Sequence, residues 1–232
     1  MLVNELPKTI KDFLDAIKVI DYSTAFNALS KYADSNKNKA AEKNLIVIAG
    51  PNGSGKSTLI KQYIEYFNLF DYEYINSDIY ARNLFFDIQD EKEKYLKAFE
   101  IEKYKKETAL KENRSFIMET VNSSDKNFNL YSRCKEKGYN ITVIFIATDS
   151  PEINIKRVAK RVDEGGHDVP QDKIISRYYK SIGNAKPLFA FADEVLIFDN
   201  SIDNKSPELC YYKGKSGFFK SDNIANLINK II

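Results

Sequence analysis

One short motif constrains this chain more than any other feature. An apolar run at residues 45–49 leads directly into Gly50, Pro51, Asn52, Gly53, Ser54, Gly55, Lys56, Ser57 and Thr58. This stretch meets every fixed position of the pattern G-x-x-x-x-G-K-[ST]. Glycines let the backbone curl so that several N–H groups point at phosphate oxygens, and the following helix adds the positive end of its dipole. The motif predicts a strand, a phosphate-binding loop and a helix that starts near Lys56.

The chemistry of the motif predicts its ligands. In loops of this kind the lysine reaches the β- and γ-phosphates, and the first hydroxyl after it is a ligand for Mg²⁺. We therefore expect residues 50–58 to bind ATP, with Lys56 as a catalytic residue and Ser57 as a metal ligand. The alternative is a glycine-rich turn without a ligand. The complete match between a strand and a helix argues against that alternative.

Short apolar runs recur along the rest of the chain. They lie at residues 45–49, 72–75, 115–118, 141–147 and 195–198, and longer helical segments separate them. Strands of this kind, apolar on both faces, are typical of a parallel sheet covered by helices on both sides. The pattern predicts an α/β fold of three layers, the P-loop NTPase fold with a mainly parallel sheet. Residues 209–212 and 218–219 flank a turn-forming stretch and predict a hairpin.

The first 44 residues have a different character. Five apolar side chains recur at helical spacing, and the stretch 35–43 is rich in lysine and asparagine; the five are Ile10, Phe13, Leu14, Ile17 and Ile20. We predict a small N-terminal helical element with a linker at 1–44 and a P-loop domain at 45–232. The helical element either packs permanently on the domain, mediates dimerisation or inhibits the domain in cis.

Composition excludes several classes of protein. The 232 residues carry 35 Lys and Arg against 33 Asp and Glu, a net charge of +2, which argues against a binder of long nucleic acids. The two cysteines lie far apart along the chain, so we expect free thiols in a reducing compartment. No apolar run approaches the roughly 18 residues of a membrane span, and charged residues interrupt any N-terminal leader. We expect a cytoplasmic protein without a membrane partner.

Acidic residues follow two of the predicted strands. Asp78 comes just after the second strand, and Glu119 and Thr120 end the third. Because the carboxyl ends of parallel strands form the ligand edge of such a sheet, all three side chains should lie near the loop. Asp78 is also well placed to cap the next helix, and position alone does not decide between the two roles. For Glu119 the alternative is an ordinary loop acid.

Arginines cluster on a helix–loop–helix late in the chain. Arg157 and Arg161 lie one turn apart on a predicted helix that Gly165 and Gly166 end, and the next helix carries Arg177. Such arginines can close over a triphosphate and neutralise the charge that develops during transfer. The alternative is a solvated charged face. His167 is then either a contact of this lid or a surface residue.

These residues together resemble a known family. The loop 50–58, the segments Asn76-Ser77-Asp78 and Glu119-Thr120, and the string from Arg161 to Pro170 resemble the zeta-toxin-like P-loop kinases in order and spacing. Arg177-Tyr178 and Asp199-Asn200-Ser201 extend the similarity to residue 201. The loop is generic, whereas the Gly-Gly-His-x-Val-Pro segment of the lid is much more specific.

The resemblance implies an ATP-dependent phosphotransferase with an alcohol group as acceptor. In the best-known members of this family the acceptor is a UDP-N-acetyl amino sugar, and a partner antitoxin restrains the enzyme. The resemblance implies that Asp78 is the general base, that Glu119 and Thr120 lie near Mg²⁺ and the acceptor, and that Arg157 or Arg161 contacts phosphate. It also implies that His167 and Arg177 contact the substrate.

The sequence departs from the family at two places. His167 stands where longer members have an arginine, and residues 82–113, which would form much of the acceptor pocket, have no counterpart that can be aligned. The acceptor therefore stays open between a sugar nucleotide resembling UDP-N-acetylglucosamine and another nucleotide, dinucleotide or nucleic-acid hydroxyl. A third hypothesis is an ATP-hydrolysing regulatory protein.

Overall fold

The computed structural model describes residues 42–215, 217–221 and 229–231. The predicted N-terminal element at 1–44 lies outside the described residues, except for its last three. None of the helices within these ranges is long and apolar enough to cross a membrane.

Seven strands and seven helices are described. The strands are β1 (Asn44–Ala49), β2 (Glu73–Ile75), β3 (Phe116–Thr120), β4 (Asn140–Ala147), β5 (Glu194–Asp199), β6 (Glu208–Gly214) and β7 (Gly217–Lys220). The helices are α1 (Lys56–Tyr66), α2 (Ser77–Leu84), α3 (Glu91–Lys111), α4 (Phe128–Glu136), α5 (Pro151–Asp163), α6 (Gln171–Gly183) and α7 (Ala185–Phe189). All five predicted strands and the predicted hairpin are confirmed.

The strands form one sheet in the order β2-β3-β1-β4-β5-β6-β7. Strands β1 to β5 are parallel, and β6 and β7 add an antiparallel hairpin at one side. After β1 the chain first builds β2 and β3 on one side and then β4 on the other. The carboxyl end of β1 is therefore the switch point of the topology, where ligands of open α/β sheets bind.

Two apolar layers cover the sheet. Alternate residues of β1 point to opposite faces. One face packs against α1, and the other packs against α4, α6, α7 and the end of α3. Each fully buried Leu, Ile or Val side chain contributes about 1.5–3 kcal/mol. The predicted three-layer P-loop NTPase fold is confirmed.

The region predicted as a lid has a small core of its own. Val158 on α5, Val169 in the following loop and Ile174 on α6 pack together. Pro151 begins α5, and the helix ends at Asp163, just before the two glycines. These three apolar contacts fix the angle between α5 and α6, so the lid is a defined unit beside the carboxyl edge of the sheet.

Candidate active site

The loop of residues 50–58 connects β1 to the first turn of α1. At Gly50 φ is 143°, and a Cβ there would lie 2.1 Å from the carbonyl oxygen of Ile146 on β4. At Gly53 φ is 75°, and a Cβ would lie 2.7 Å from the carbonyl oxygen of Asn154 on α5. Only glycine fits either position, because the backbone turns left-handed against a neighbouring strand or helix.

Lys56 is the buried cation of the loop. Its side chain Nζ donates a hydrogen bond of 2.8 Å to the carbonyl oxygen of Pro51 and lies 3.9 Å from Glu119 Oε1. Burial lowers the pKa of the Lys56 ammonium, and the negative charges of Glu119 and Asp78 oppose that change. The ammonium is therefore held at the mouth of the loop, close to both acidic residues.

Glu119, at the end of β3, accepts several hydrogen bonds. Its Oε2 accepts from Ser57 Oγ at 3.1 Å and from Tyr74 Oη at 2.6 Å. The same oxygen accepts from Asn76 Nδ2 at 3.0 Å. Burial and the adjacent Glu119 raise the pKa of Tyr74, so the phenol keeps its proton and remains a donor.

The donor set fits a magnesium ion. The hydroxyl of Ser57 and the carboxylate of Glu119 lie 3.1–3.3 Å apart, and Mg²⁺ prefers hard oxygen ligands of these two kinds. The described part of the chain has no cluster of three or more His, Cys, Asp or Glu side chains that could hold a metal. A site built from one hydroxyl, one carboxylate and substrate phosphates suits Mg²⁺, which keeps few protein ligands.

The cap of α2 is Asn76, and the interpretation of Asp78 as the cap is wrong. Asn76 Oδ1 accepts a hydrogen bond of 2.8 Å from the backbone N–H of Asp78. Both residue types cap helices well, but only the residue with extended backbone just before the first turn can do so. Asp78 is instead the second residue of α2, with an exposed side chain. Its charge acts on Lys56 and on His167.

The two lid arginines, which lie one turn apart, have different partners. Arg157 donates through Nε and Nη2 to Asp203 Oδ1 at 2.8 and 2.7 Å, and through Nη1 to the carbonyl oxygen of Asn200 at 2.6 Å. Asn200 in turn donates to the carbonyl oxygen of Ser54 at 2.8 Å. Arg157 therefore holds the segment after β5 against the phosphate-binding loop.

Arg161 lies nearer to the charged groups of the site. Its Nη2 donates to the carbonyl oxygen of His167 at 2.6 Å. Its positive charge acts on Lys56, on His167 and on Tyr95. Arg161 Nε is buried and has no hydrogen-bond partner among the described residues.

His167 connects the lid to α3. Its ring centroid lies 4.6 Å from that of Tyr95, and Nδ1 is 3.7 Å from Glu91 Oε2. Burial lowers the pKa of His167, although Asp78 and Glu91 act in the opposite direction. Burial and the charge of Asp78 raise the pKa of Tyr95 to about 12. Of the two alternatives for His167, a lid contact or a surface residue, neither is excluded, because the side chain is exposed and also contacts Tyr95 on α3.

Thr120 and Arg177 lie at the periphery. Thr120 pairs with Ala49 in the sheet register, and its Oγ1 accepts a hydrogen bond of 3.0 Å from the backbone N–H of Asn122. Arg177 lies half-buried on α6. The structure therefore brings Lys56, Ser57, Glu119, Asp78, Arg161 and His167 to one edge, with Arg157 and Thr120 beside them, whereas Arg177 makes no hydrogen bond or ion pair with any of these described residues.

Sequence reasoning did not identify four residues that contact this set. They are Tyr74, Asn76, Tyr95 and Asn200. Asn76 and Asn200 lie within segments that resemble the family, but the resemblance assigned no role to either residue. Nothing in the local sequence singles out Tyr74 or Tyr95 among 15 tyrosines.

Comparisons with known proteins agree with this geometry. The model of the AAA domain family matches residues 45–176, more than half of the chain. A protein of Haemophilus influenzae, described as uncharacterized, is 29% identical over 134 residues, which are 57% of this chain and 91% of that protein.

Solved structures show the same fold. The AvrRxo1-ORF1:-ORF2 complex with ATP matches with a TM-score of 0.65 at 14% identity, over 98% of this chain and 72% of that chain. The PezAT chromosomal toxin–antitoxin system of Streptococcus pneumoniae matches with a TM-score of 0.62 at 16% identity, over 93% and 89%. The chain therefore belongs to the AAA domain family and has the fold of a zeta-toxin-like P-loop kinase.

Proposed function

We propose that this protein is an ATP-dependent kinase that transfers the γ-phosphate to a hydroxyl of a small molecule. The observation that carries the proposal is the grouping of Lys56, the Ser57–Glu119 pair and Asp78 at one edge of the sheet. The loop supplies a phosphate site, whereas Asp78 comes from another element and has an exposed carboxylate. A protein that only binds and releases nucleotide does not require a carboxylate in that position.

Each residue of the site has a separate role in the proposed phosphoryl transfer. Lys56 holds the β- and γ-phosphates, and Ser57 with Glu119 would hold Mg²⁺, which supplies positive charge to those phosphates. The acceptor's hydroxyl oxygen bonds to the γ-phosphorus, and Asp78 accepts the proton that this hydroxyl loses. The bond from that phosphorus to the β–γ bridging oxygen breaks, and ADP leaves with the electron pair.

The lid is proposed to complete the site. Arg161 stabilises the charge on the transferring group, because its field already reaches Lys56. Arg157 acts at the nucleotide side, where it fixes the segment 200–203 against the loop. His167 and Arg177 contact the acceptor, and Thr120 borders it.

We further propose a sugar nucleotide resembling UDP-N-acetylglucosamine as the acceptor. The space next to Asp78 is bordered by α2, α3 and the lid. It offers the cations Arg82 and Arg161 for a diphosphate and the aromatic ring of Tyr95 for a base or sugar. The charges of both arginines and of Asp78 act on Tyr95, so these groups lie around one region.

A protein partner is also proposed. PezAT is a chromosomal toxin–antitoxin system, and AvrRxo1-ORF1 was solved together with ORF2. By analogy, a separate antitoxin or the segment 1–44 in cis restrains this kinase. Deletion of residues 1–38 then raises the rate of transfer, whereas an insoluble truncation would point to a packing role.

Mass spectrometry of a metabolite extract tests the kinase proposal. The full chain is incubated with the extract, ATP and Mg²⁺, and species that gain one phosphate are identified. ADP release is then measured with sugar nucleotides, nucleotides, dinucleotides and 5′-hydroxyl oligonucleotides. Lys56→Ala is the inactive control. ADP release that no acceptor stimulates would contradict a kinase and favour the regulatory ATPase.

A further inference from the structure

The side chain of Asn76 connects the carboxylate of Glu119 to the backbone of Asp78. At one end, Oδ1 accepts from the backbone N–H of Asp78 at 2.8 Å and so caps α2. At the other end, Nδ2 donates to Glu119 Oε2 at 3.0 Å and to Tyr74 Oη at 3.1 Å. The residue is 7% exposed, so water competes little for these bonds.

The direction of every bond in this group follows from chemistry. A backbone N–H can only donate, so the atom of Asn76 facing Asp78 must be the carbonyl oxygen, and the amide nitrogen must face the other way. Tyr74 Oη accepts from that nitrogen and gives its single proton to Glu119 at 2.6 Å. The hydrogen-bonding neighbours of Asn76 therefore determine the orientation of its amide.

The donors are distributed unequally over the carboxylate of Glu119. Oε2 accepts from Tyr74 and Asn76 and makes the shorter contact with Ser57, at 3.1 Å. Oε1 lies 3.3 Å from Ser57 Oγ and 3.9 Å from Lys56 Nζ. Oε1 thus retains the capacity to accept, and it faces the side where Lys56 lies.

We propose that Asn76 is a positioning residue that sets Glu119 for Mg²⁺ and the helix carrying Asp78 for the acceptor at the same time. This inference rests on the proposed function. One amide connects the carboxylate of Glu119 to the backbone N–H of Asp78 in the first turn of α2, so a change at Asn76 alters both the metal requirement and the transfer step. Tyr74 positions only the Glu119 end. Partners of this kind, one step behind a metal ligand, affect metal affinity or activity by about 10–100-fold.

The test separates the two ends of the amide. Asn76→Ser retains a capping oxygen and loses the donor to Glu119, because serine is an equally good cap with a shorter side chain. Tyr74→Phe loses one donor to Glu119 and leaves the cap intact. Asn76→Ala loses both functions. All variants are made in the full chain.

A matched pair exists at the opposite edge of the sheet. Asn44 Nδ2 donates to Tyr72 Oη at 2.8 Å, far from the loop. Asn44→Ser and Tyr72→Phe therefore remove the same kind of bond without touching the site. They control for any general effect on stability.

The first readout does not require an acceptor. Calorimetry measures ATP affinity over a series of Mg²⁺ concentrations. We expect the Mg²⁺ concentration that gives half of the increase in ATP affinity to rise about tenfold in Asn76→Ser and Tyr74→Phe. ATP affinity in the absence of metal should be unchanged. The two control variants should match the original chain.

The second readout is the rate of transfer at saturating ATP and Mg²⁺. The rate of transfer should be several-fold lower in Asn76→Ala than in Asn76→Ser, because only the alanine variant loses the cap of α2. Both variants should need the same Mg²⁺ concentration. Unchanged Mg²⁺ dependence in Asn76→Ser would overturn the inference, whatever the result for Tyr74→Phe. If an Asn76 variant does not fold, Tyr74→Phe still decides the Glu119 end.

The outcomes also distinguish this inference from the proposed function. An original chain whose ATP affinity does not respond to Mg²⁺ overturns the metal role of Glu119 and the role of Asn76 with it. A chain that responds to Mg²⁺ but phosphorylates no acceptor overturns only the kinase proposal.

Discussion

The phosphate side of the site and its lid side are built in different ways. On the phosphate side, the loop 50–58 folds on itself, and Glu119 accepts hydrogen bonds from three residues of two neighbouring segments. On the lid side, each arginine depends on a loop far from it in the chain or on a single carbonyl group. Arg157 pairs with Asp203, 46 residues away, and Arg161 holds the carbonyl oxygen of His167.

This difference separates the part of the site that any ATP-using enzyme needs from the part that is specific to this chain. A loop that binds phosphate through backbone N–H groups needs only glycines, a lysine and a hydroxyl, so it can serve any reaction of ATP. Helices α2 and α3 and the lid supply side chains of several kinds around Asp78, namely Arg82, Tyr95, Arg161 and His167. If the proposed acceptor binds beside Asp78, its selectivity is expected to come from the lid side.

Replacement of Lys56 should have the largest effect, and it tests the phosphate side. Lys56→Ala removes a charge-assisted contact worth roughly 1.5–3 kcal/mol, so ATP affinity should fall about ten- to a hundredfold. Turnover should be abolished. Calorimetry with ATP checks the first effect, and Lys61→Ala, an exposed lysine on the same helix, is the control. Equal ATP affinity in the two variants would contradict the assignment of residues 50–58 as the ATP-binding loop.

Asp78 stands at the boundary between the two sides. Asp78→Asn removes the proton acceptor, so transfer should drop at least about a hundredfold while ATP affinity stays within about threefold. Both Asp78→Asn and Asp78→Ala should fold normally because Asn76 provides the cap. Turnover and melting temperature are measured on both.

The exposed Asp87 in the turn after α2 provides a control for Asp78. Asp87→Asn should have the activity of the original chain. An active Asp78→Asn enzyme would show that this carboxylate is not the base.

The two lid arginines sharpen the comparison further. Arg161→Ala should lower the rate of transfer by at least about tenfold, since a positive charge that stabilises the transferring group is lost. Arg157→Ala should instead weaken ATP binding, because the segment 200–203 loses its anchor to α5. A KM and kcat measurement on both variants separates the effects. Identical losses in kcat would contradict the division between the two residues.

The smallest expected effect concerns the pH dependence of the lid. The pKa of His167 is lowered in the folded protein, mainly by burial. Protonation therefore favours the unfolded chain, and the stability that neutral His167 contributes is lost as the pH falls through about 6.5, the ordinary value. Melting temperature should drop slightly less between pH 7 and pH 5.5 in His167→Gln than in the original chain. An equal drop would show that the histidine makes no contribution.

The fold was predictable because its signals are local. Apolar runs and the motif 50–58 each specify their own segment, and the two glycines at 165 and 166 marked the end of α5. The cap of α2 was not predictable, because asparagine and aspartate cap equally well and lie two positions apart. A shift of two residues decides which of them faces the free N–H groups.

The contacts of the lid escaped prediction for another reason. Tyr95 and His167 meet only because α3 and the lid loop come together in the folded chain. The pairing of Arg157 with Asp203 likewise depends on where the segment after β5 lies. Two exposed-looking arginines on one helical face have the same local pattern, and only tertiary structure separates them.

The shortness of the outer strands also has a consequence for association between chains. The central strands β1 and β4 are apolar on both faces and would pair readily with other chains if they were exposed. The sheet places them inside and ends in β2, of three residues, and β7, of four. Glu73 on β2 forms ion pairs with Lys105 and Arg114, each at 2.8 Å, which puts charge beside that open edge. Among the described residues, the short strand β2 with charge beside it offers little backbone for a further strand, which disfavours edge-to-edge pairing there.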